Sequence, residues 1–263
     1  MSAGIDRGPD AAAGRRVDLN ADVGEGYADD ALMPYITSAS IACGAHAGSA
    51  ATMQRTIALA REHAVSVGAH PGFPDPSGFG RRVTTRDPAA IEALVVAQVD
   101  ELRRHADALE VEVTYVKPHG ALYNLAAADP SVARAIARAA QRCLPGTRLV
   151  LLAGSRGLAA VAAESVVAVA EGFVDRGYLG SGDLAPRGTD GASIEDAEEA
   201  ARRAVALALE SRVTTVEGAE LTVAVDTLCL HGDGAHAAAI ARRVRERLDA
   251  AGVAVIPFTP FVR

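Results

Sequence analysis

The chain has 263 residues, is 49% hydrophobic and carries a formal net charge of −7. This length and apolar content suit one large α/β domain with a sizeable core, and an acidic balance with no basic stripe argues against a nucleic-acid partner. No apolar run is long enough to span a membrane, and three cysteines without regular spacing make no disulfide framework, which favours a reduced, cytoplasmic setting.

Residues 1–14 are rich in Ala, Gly and Asp and lack an apolar h-region. They read as a disordered leader rather than a signal peptide, leaving 15–263 as a single catalytic domain. A strand is expected near 16–19, running into Asp18-Leu19-Asn20-Ala21-Asp22, and the stretch 28–36 has room for a short helix. A second strand near 39–42 ends in Cys43-Gly44-Ala45-His46, a helix follows near 50–63, and a third strand near 65–69 ends at His70-Pro71. Residues 71–87 form a long loop with Phe73, Phe79 and several Gly and Pro, before a helix near 88–108.

The fourth strand, near 113–117, runs into Lys117-Pro118-His119-Gly120, with Tyr123 and Asn124 at the start of a polar loop. Asp129 then Pro130 reads as an N-cap with proline at the first helical position, opening a helix near 130–142. Strands near 148–152 and 167–171 flank a helix near 155–163. A second long loop, 172–192, holds Asp175, Arg176, Arg187 and several glycines. Long glycine-rich loops in a compact domain are usually functional or disordered, and both are read as lids or binding loops. Ser193 with Asp196 resembles a capping box for a helix near 193–210, and 213–225 suggests an antiparallel excursion. A strand near 226–230 ends in His231-Gly232-Asp233, a helix near 234–250 begins with Asp233 as its cap, and a strand is expected near 253–257.

The strands are short, β-branched and nearly all apolar, as strands covered on both faces should be. Their alternation with helices implies right-handed βαβ units and a parallel sheet, and about eight repeats favour closure into a barrel. In such a fold the run ends collect on one rim, where α/β proteins build active sites. Four of the seven histidines fall at those ends.

The rim residues suggest roles. Asp22 is a candidate general base, metal ligand or orienter, and Asn20 and Asp18 share its parity along the strand. Glu25 is a further candidate or a solvated loop charge. His46 and His70 end matching Ala/Gly-rich strands, and Asp22, His46 and His70 would be the ligands if a divalent metal is bound, although no HExxH or tight Cys/His spacing supports one. Lys117, beside His119, is costly at a strand end unless used or paired. Burial or a neighbouring cation would lower its pKa toward base or nucleophile duty, while a salt bridge with Asp22 or Asp18 is the compatible alternative. Cys229 is expected to point inward beneath His231, as packing rather than as a nucleophile. Arg176 and Arg187 suit a carboxylate or phosphate, or else loop salt bridges to Asp175 or Asp190. Asp22, His46, His70, Lys117, His119 and His231 are the candidate catalytic groups, and Asn20, Glu25, Tyr123, Asn124, Asp175, Arg176, Arg187 and Asp233 the candidate substrate-binding set. There is no GxxxxGK[ST], no complete GxGxxG and no GxSxG.

DLNADVGEG (18–26), IACGAHAG (41–48), GAHPGFPD (68–75), FGR (79–81), KPHGALYN (117–124), EGFVDRGY (171–178), LAPR (184–187) and CLHGDG (229–234) together resemble the LamB/YcsF family of 5-oxoprolinase components, in order from about Val17 to Pro257. The departures are small: Ala45 stands where a bulkier residue is common, and Gly72 where Ser is common. The resemblance implies a distorted TIM-like (β/α) barrel of the glycoside hydrolase/deacetylase type with seven to eight strands. It implies ATP-dependent opening of the 5-oxoproline lactam to L-glutamate, together with PxpB-type and PxpC-type partner subunits. The missing P-loop fits ATP being handled with those partners. Two rivals stand beside this reading: a metal-dependent amide or polysaccharide deacetylase using Asp22, His46 and His70, and a non-catalytic binding subunit.

Overall fold

The computed structural model describes residues 15–162, 164, 166–232 and 236–262, so the expected leader and Asp233 lie outside the described residues. The strands are β1 (Arg16–Val23), β2 (Ser38–Ala42), β3 (Ser66–His70), β4 (Val113–Val116), β5 (Arg148–Leu152), β6 (Val167–Phe173), β7 (Arg212–Thr214), β8 (Glu220–Thr222), β9 (Thr227–His231) and β10 (Ala254–Val255). The helices are α1 (Asp29–Leu32), α2 (Ala50–Glu62), α3 (Pro88–Asp107), α4 (Gly120–Ala128), α5 (Pro130–Cys143), α6 (Arg156–Val161), α7 (Ala197–Glu210) and α8 (Ala237–Ala250). Strands β1 to β6 pair in sequence, all parallel, and β9 pairs with both β6 and β1, closing a seven-stranded barrel. Among the described residues no helix is long and apolar enough to cross a membrane.

The expected eighth barrel strand does not join the wall. β10 pairs only with the first residues of β1, Arg16 and Val17, ahead of the stretch Asp18–Asp22 that β1 shares with β9. Pro257 lacks a backbone N–H and cannot extend the ladder. The chain then passes across the N-terminal end of the barrel, where Ser66 donates to the Thr259 carbonyl at 2.5 Å and the Phe258 ring meets Tyr115 edge-on at 5.0 Å. β7 and β8 form the antiparallel excursion.

The strands are not uniformly apolar. In β1, Val17, Leu19, Ala21 and Val23 join the core beneath the helices, while Asp18, Asn20 and Asp22 are buried on the other face, inside the barrel. The low interior is lined by Tyr115, Val150 and Val169 with Phe258. Asp18 accepts from Thr37 Oγ1 at 2.7 Å and Ser38 Oγ at 2.6 Å, and also from Thr227 Oγ1. Burial pushes its carboxyl up to about 6, against the lowering effect of these hydroxyls.

Local signals account for most helix starts. Asp129 caps α5 by accepting from the Ser131 N–H at 2.9 Å, with Pro130 first in the helix. At α7 it is Asp196, not Ser193, that caps, accepting from Glu199 N–H at 2.7 Å, so the helix starts later than the expected 193. The segment expected as a polar loop after His119 is helix α4, rich in Ala and Leu and largely buried. It begins directly from the rim: the His119 carbonyl accepts from the Leu122 and Tyr123 N–H groups.

Candidate active site

Parallel register sets the rim residues at one level: Asp22 aligns with His231 across β1 and β9, and Ala42 with His70 across β2 and β3. Lys117 follows β4, and its backbone N–H donates to the Ala69 carbonyl of β3. Its side chain is buried, and Nζ lies 2.8 Å from Asp22 Oδ1, 2.8 Å from Glu171 Oε1, 2.9 Å from Asn20 Oδ1 and 3.0 Å from Cys229 Sγ. An ammonium has three protons, and four acceptors converge on it. Burial alone would lower its pKa, but Asp22, Cys229 and Glu171 raise it well above the usual lysine range. The expectation of a lowered pKa fails, because a single sequence does not show how many acceptors other strands bring. Lys117 is a fixed cation, paired with Asp22 and not with Asp18.

Burial works to raise the Asp22 carboxyl, yet His70 and Lys117 hold it well below the usual carboxylate range. Asn20 lies one layer down and donates to Glu171 Oε1 at 2.9 Å and Thr227 Oγ1 at 2.7 Å. Sequence reasoning does not single out Glu171. It is fully buried, bridges Asn20 and Lys117 through Oε1, and leaves Oε2 without a hydrogen bond. A carboxylate near the end of an otherwise apolar strand is the signal that could have found it.

The other side of the rim is a histidine cluster. His70 Nε2 is 2.9 Å from His119 Nδ1 and 3.3 Å from Asp22 Oδ2. Glu25 Oε1 is 3.0 Å from His46 Nε2 and 3.3 Å from His119 Nδ1. The His46 and His119 rings stack, with centroids 3.7 Å apart and planes 2° from parallel. Burial lowers the pKa of His46 to about 4. Among the described residues two groups of donor atoms could hold a metal ion: Glu25, His46, His70 and His119, and separately Asp22, Cys229 and His231. The set expected from sequence, Asp22 with His46 and His70, is not either of these.

His231 is held by Asp175, which accepts from its backbone N–H at 2.7 Å and from Nδ1 at 3.0 Å. Its ring packs on Phe173 at 5.6 Å. Burial opposes its protonation, but Asp175 prevails and the pKa is raised. Asp175 thus stands behind His231. Cys229 points inward as expected, and burial raises its thiol well above its usual range.

Asp22, Glu25, His70, Lys117, His119 and His231 line a cavity of about 640 Å³. Tyr123 and the exposed Asn124 reach it from α4, and Phe79, Arg81, Arg176 and Arg187 reach it from the two long loops. Burial, then Glu171, raises the Tyr123 hydroxyl well above its usual range. Arg176 is largely committed to its own loop, donating from Nε to the Ala192 carbonyl at 2.9 Å and from Nη2 to the Ala185 carbonyl at 2.7 Å. Burial and the nearby Arg187 bring it down to about 10, so it remains a cation at neutral pH. Arg187 is exposed at the cavity mouth. The rim therefore offers a fixed cation–carboxylate core, an oriented imidazole and basic walls.

Residues 17–263 match the family model described as the LamB/YcsF family. A protein of Thermus thermophilus, named as the A component of 5-oxoprolinase, is 45% identical over 249 residues, spanning 92% of this chain and 100% of that protein. A protein of the same name from Azorhizobium caulinodans is 46% identical over 252 residues, spanning 93% and 99%. The crystal structure of a lactam utilization protein from Thermus thermophilus matches with a TM-score of 0.86 at 44% identity, covering 92% of this chain and all of that one.

Proposed function

Since this chain belongs to the LamB/YcsF family, we propose that it opens the lactam of 5-oxoproline to L-glutamate as one component of an ATP-dependent enzyme that includes PxpB-type and PxpC-type subunits. The observation that carries the reading is the His231–Asp175 pair beside a cavity lined by Asp22 and Lys117, with Glu171 buried behind Lys117. A base held by a third group is the arrangement expected for proton transfer.

The reaction adds water to the lactam carbonyl carbon and breaks the C–N bond. His231, its Nδ1 proton bonded to Asp175, has Nε2 left to take the proton of the attacking water and deliver it to the departing ring nitrogen. Asp22, fixed as an anion, stabilises the imidazolium formed between these steps. Lys117 has its protons taken by Asp22, Glu171 and Asn20, so it positions the carboxylates rather than contacting the substrate. Arg187, with Arg81 and Arg176, gives the mouth the charge to attract the substrate carboxylate. A stable five-membered amide needs an activated carbonyl, and phosphorylation of the lactam oxygen by a partner would supply one; water addition and C–N cleavage then leave an acyl phosphate, which a second water hydrolyses to L-glutamate and inorganic phosphate. This chain carries no familiar nucleotide motif of its own.

The test is 5-oxoproline turnover. The purified chain with substrate and ATP should be silent and should gain activity when the two partner subunits are added. Robust ATP-independent glutamate production by this chain alone would overturn the reading.

A further inference from the structure

The histidine cluster poses a problem of proton placement. A neutral imidazole carries one N–H, and a carbonyl oxygen can only accept. His70 Nδ1 lies 2.7 Å from the Lys117 carbonyl oxygen, so a neutral His70 keeps its proton there and turns the Nε2 lone pair toward His119 Nδ1 at 2.9 Å and Asp22 Oδ2 at 3.3 Å, contacts that only a second proton or a metal cation makes favourable. His119 Nε2 lies 2.9 Å from the Phe79 carbonyl oxygen, so its proton is there and Nδ1 carries the lone pair. Those two lone pairs face one another at 2.9 Å. Glu25 Oε1 lies 3.8 Å from one and 3.3 Å from the other, and 3.0 Å from His46 Nε2. Four atoms able to ligate a metal thus converge, all within 4.8 Å of one another.

We propose that His46 Nε2, His70 Nε2, His119 Nδ1 and Glu25 Oε1 bind a divalent transition-metal ion, zinc by the chemistry of the donors. The separations carry the argument. A tetrahedral zinc with bonds of about 2.0–2.1 Å sets its ligand atoms roughly 3.3–3.4 Å apart. Four of the six separations, 2.9, 3.0, 3.3 and 3.8 Å, bracket that edge, and the two from His46 Nε2 to the other imidazoles are within 4.8 Å. Three imidazoles and one carboxylate suit zinc and its neighbours and not magnesium or calcium, which take oxygen donors. Backbone carbonyls on the far nitrogens of His70 and His119 are the outer contacts that orient metal-bound imidazoles and fix their tautomers. His46 Nδ1 is buried with no hydrogen-bond partner, so nothing ties its ring to the opposite tautomer.

The loop after β3 is shaped around these rings. A Cβ on Gly72 would lie 2.7 Å from His46 Nδ1, and one on Gly80 would lie 2.8 Å from His46 Cβ and 2.9 Å from His119 Cδ2. Asp22 Oδ2 lies 3.3 Å from His70 Nε2, but Asp22 is not in the group whose donor atoms all converge, and its Oδ1 is bonded to Lys117. His70, His119 and Glu25 line the cavity, so the ion would border that space.

The site stands on geometry and does not depend on the lactam reading. The test uses the full chain stripped with a chelator, reloaded with zinc or cobalt(II), and freed of excess by gel filtration. Elemental analysis should find one zinc per chain, and cobalt should give the intense visible bands of a tetrahedral centre. Glu25→Gln and His46→Gln should each weaken zinc binding by more than about 100-fold, with circular dichroism confirming the fold, while Asp22→Asn should retain the ion. Failure of the wild-type chain to hold zinc or cobalt near one equivalent would overturn the proposal. So would unchanged affinity and spectrum in the two ligand variants, or loss of the ion from Asp22→Asn alone. The wild-type cobalt spectrum decides the matter even if a variant does not fold, and none of these results bears on turnover with the partner subunits.

Discussion

Lys117→Met tests whether the rim is built around one buried cation. The substitution keeps the length of the side chain and removes the ammonium that lies 2.8 Å from both Asp22 and Glu171. Removing one member of a buried ion pair costs roughly 3–5 kcal/mol, because the partner's charge is left uncompensated. For a domain of this size that corresponds to a fall in Tm of roughly 6–20 °C. The pH dependence has a definite sign. Asp22 has a depressed pKa in the folded state, so its stabilising contribution is present above the unfolded carboxylate value and is lost as pH falls through the folded one. Without the ammonium a main cause of that depression is gone, and the variant can relieve the buried charge by binding a proton. Urea unfolding at pH 8 and pH 5 should therefore show a wide gap between wild type and variant at pH 8 that narrows at pH 5. Adding Glu171→Gln to the variant should recover part of the loss. A loss below about 1 kcal/mol at pH 8, or an equal loss at both pH values, would refute the reasoning.

Asp18 is raised from 3.8 to about 6, a gap worth roughly 3 kcal/mol. The folded state holds this proton more tightly than the unfolded one, so the contribution is full below pH 3.8 and is lost as pH rises through about 6. The stability difference between wild type and Asp18→Asn, followed by urea unfolding from pH 4 to 7, should shift against wild type by about that amount, and a flat difference would contradict it. Asp175→Asn removes the charge that raises the His231 pKa. In the assembled enzyme kcat/KM should fall on the order of 10²-fold or more, with its acid limb moved to lower pH, and an unchanged profile would remove His231 from proton transfer. Arg187→Ala, at an exposed position, should leave stability within about 0.5 kcal/mol and raise KM for 5-oxoproline with little change in kcat. Unchanged steady-state KM would place the carboxylate elsewhere.

Much of the barrel is legible in the sequence because apolar runs and capping residues are local signals. Asp129 with Pro130, and the runs ending at Asp22, His70 and His231, are read from a few adjacent residues. What is not legible depends on neighbours far along the chain. Lys117 looks like a candidate base until Asp22, Glu171 and Cys229 arrive from three other strands. Asp175 lies 56 residues from His231, and nothing local distinguishes it from a substrate contact. Glu171 opens the EGFVDRGY stretch, but its burial and bonds follow only from closure. Helix α4 escapes a sequence reading because it starts at the rim without a polar linker. β10 counts into the wall on pattern alone, because the effect of Pro257 on pairing depends on which strand edge it meets.

The closure itself bears on how the chain is made. β1 obtains β2 as a neighbour within some tens of residues, but the Thr227 hydroxyl that meets Asp18 is 209 residues away. At roughly 5–20 residues per second of synthesis, one edge of β1 waits about 10–40 s before β9 can cover it. An unpaired strand edge is a template for wrong partners. Here the waiting edge carries Asp18, Asn20 and Asp22 on one face, and these groups would have to give up their water to pair with another chain. The same alternation that costs stability at Asp18 in the finished barrel would keep the nascent one from sticking to its neighbours on the polysome.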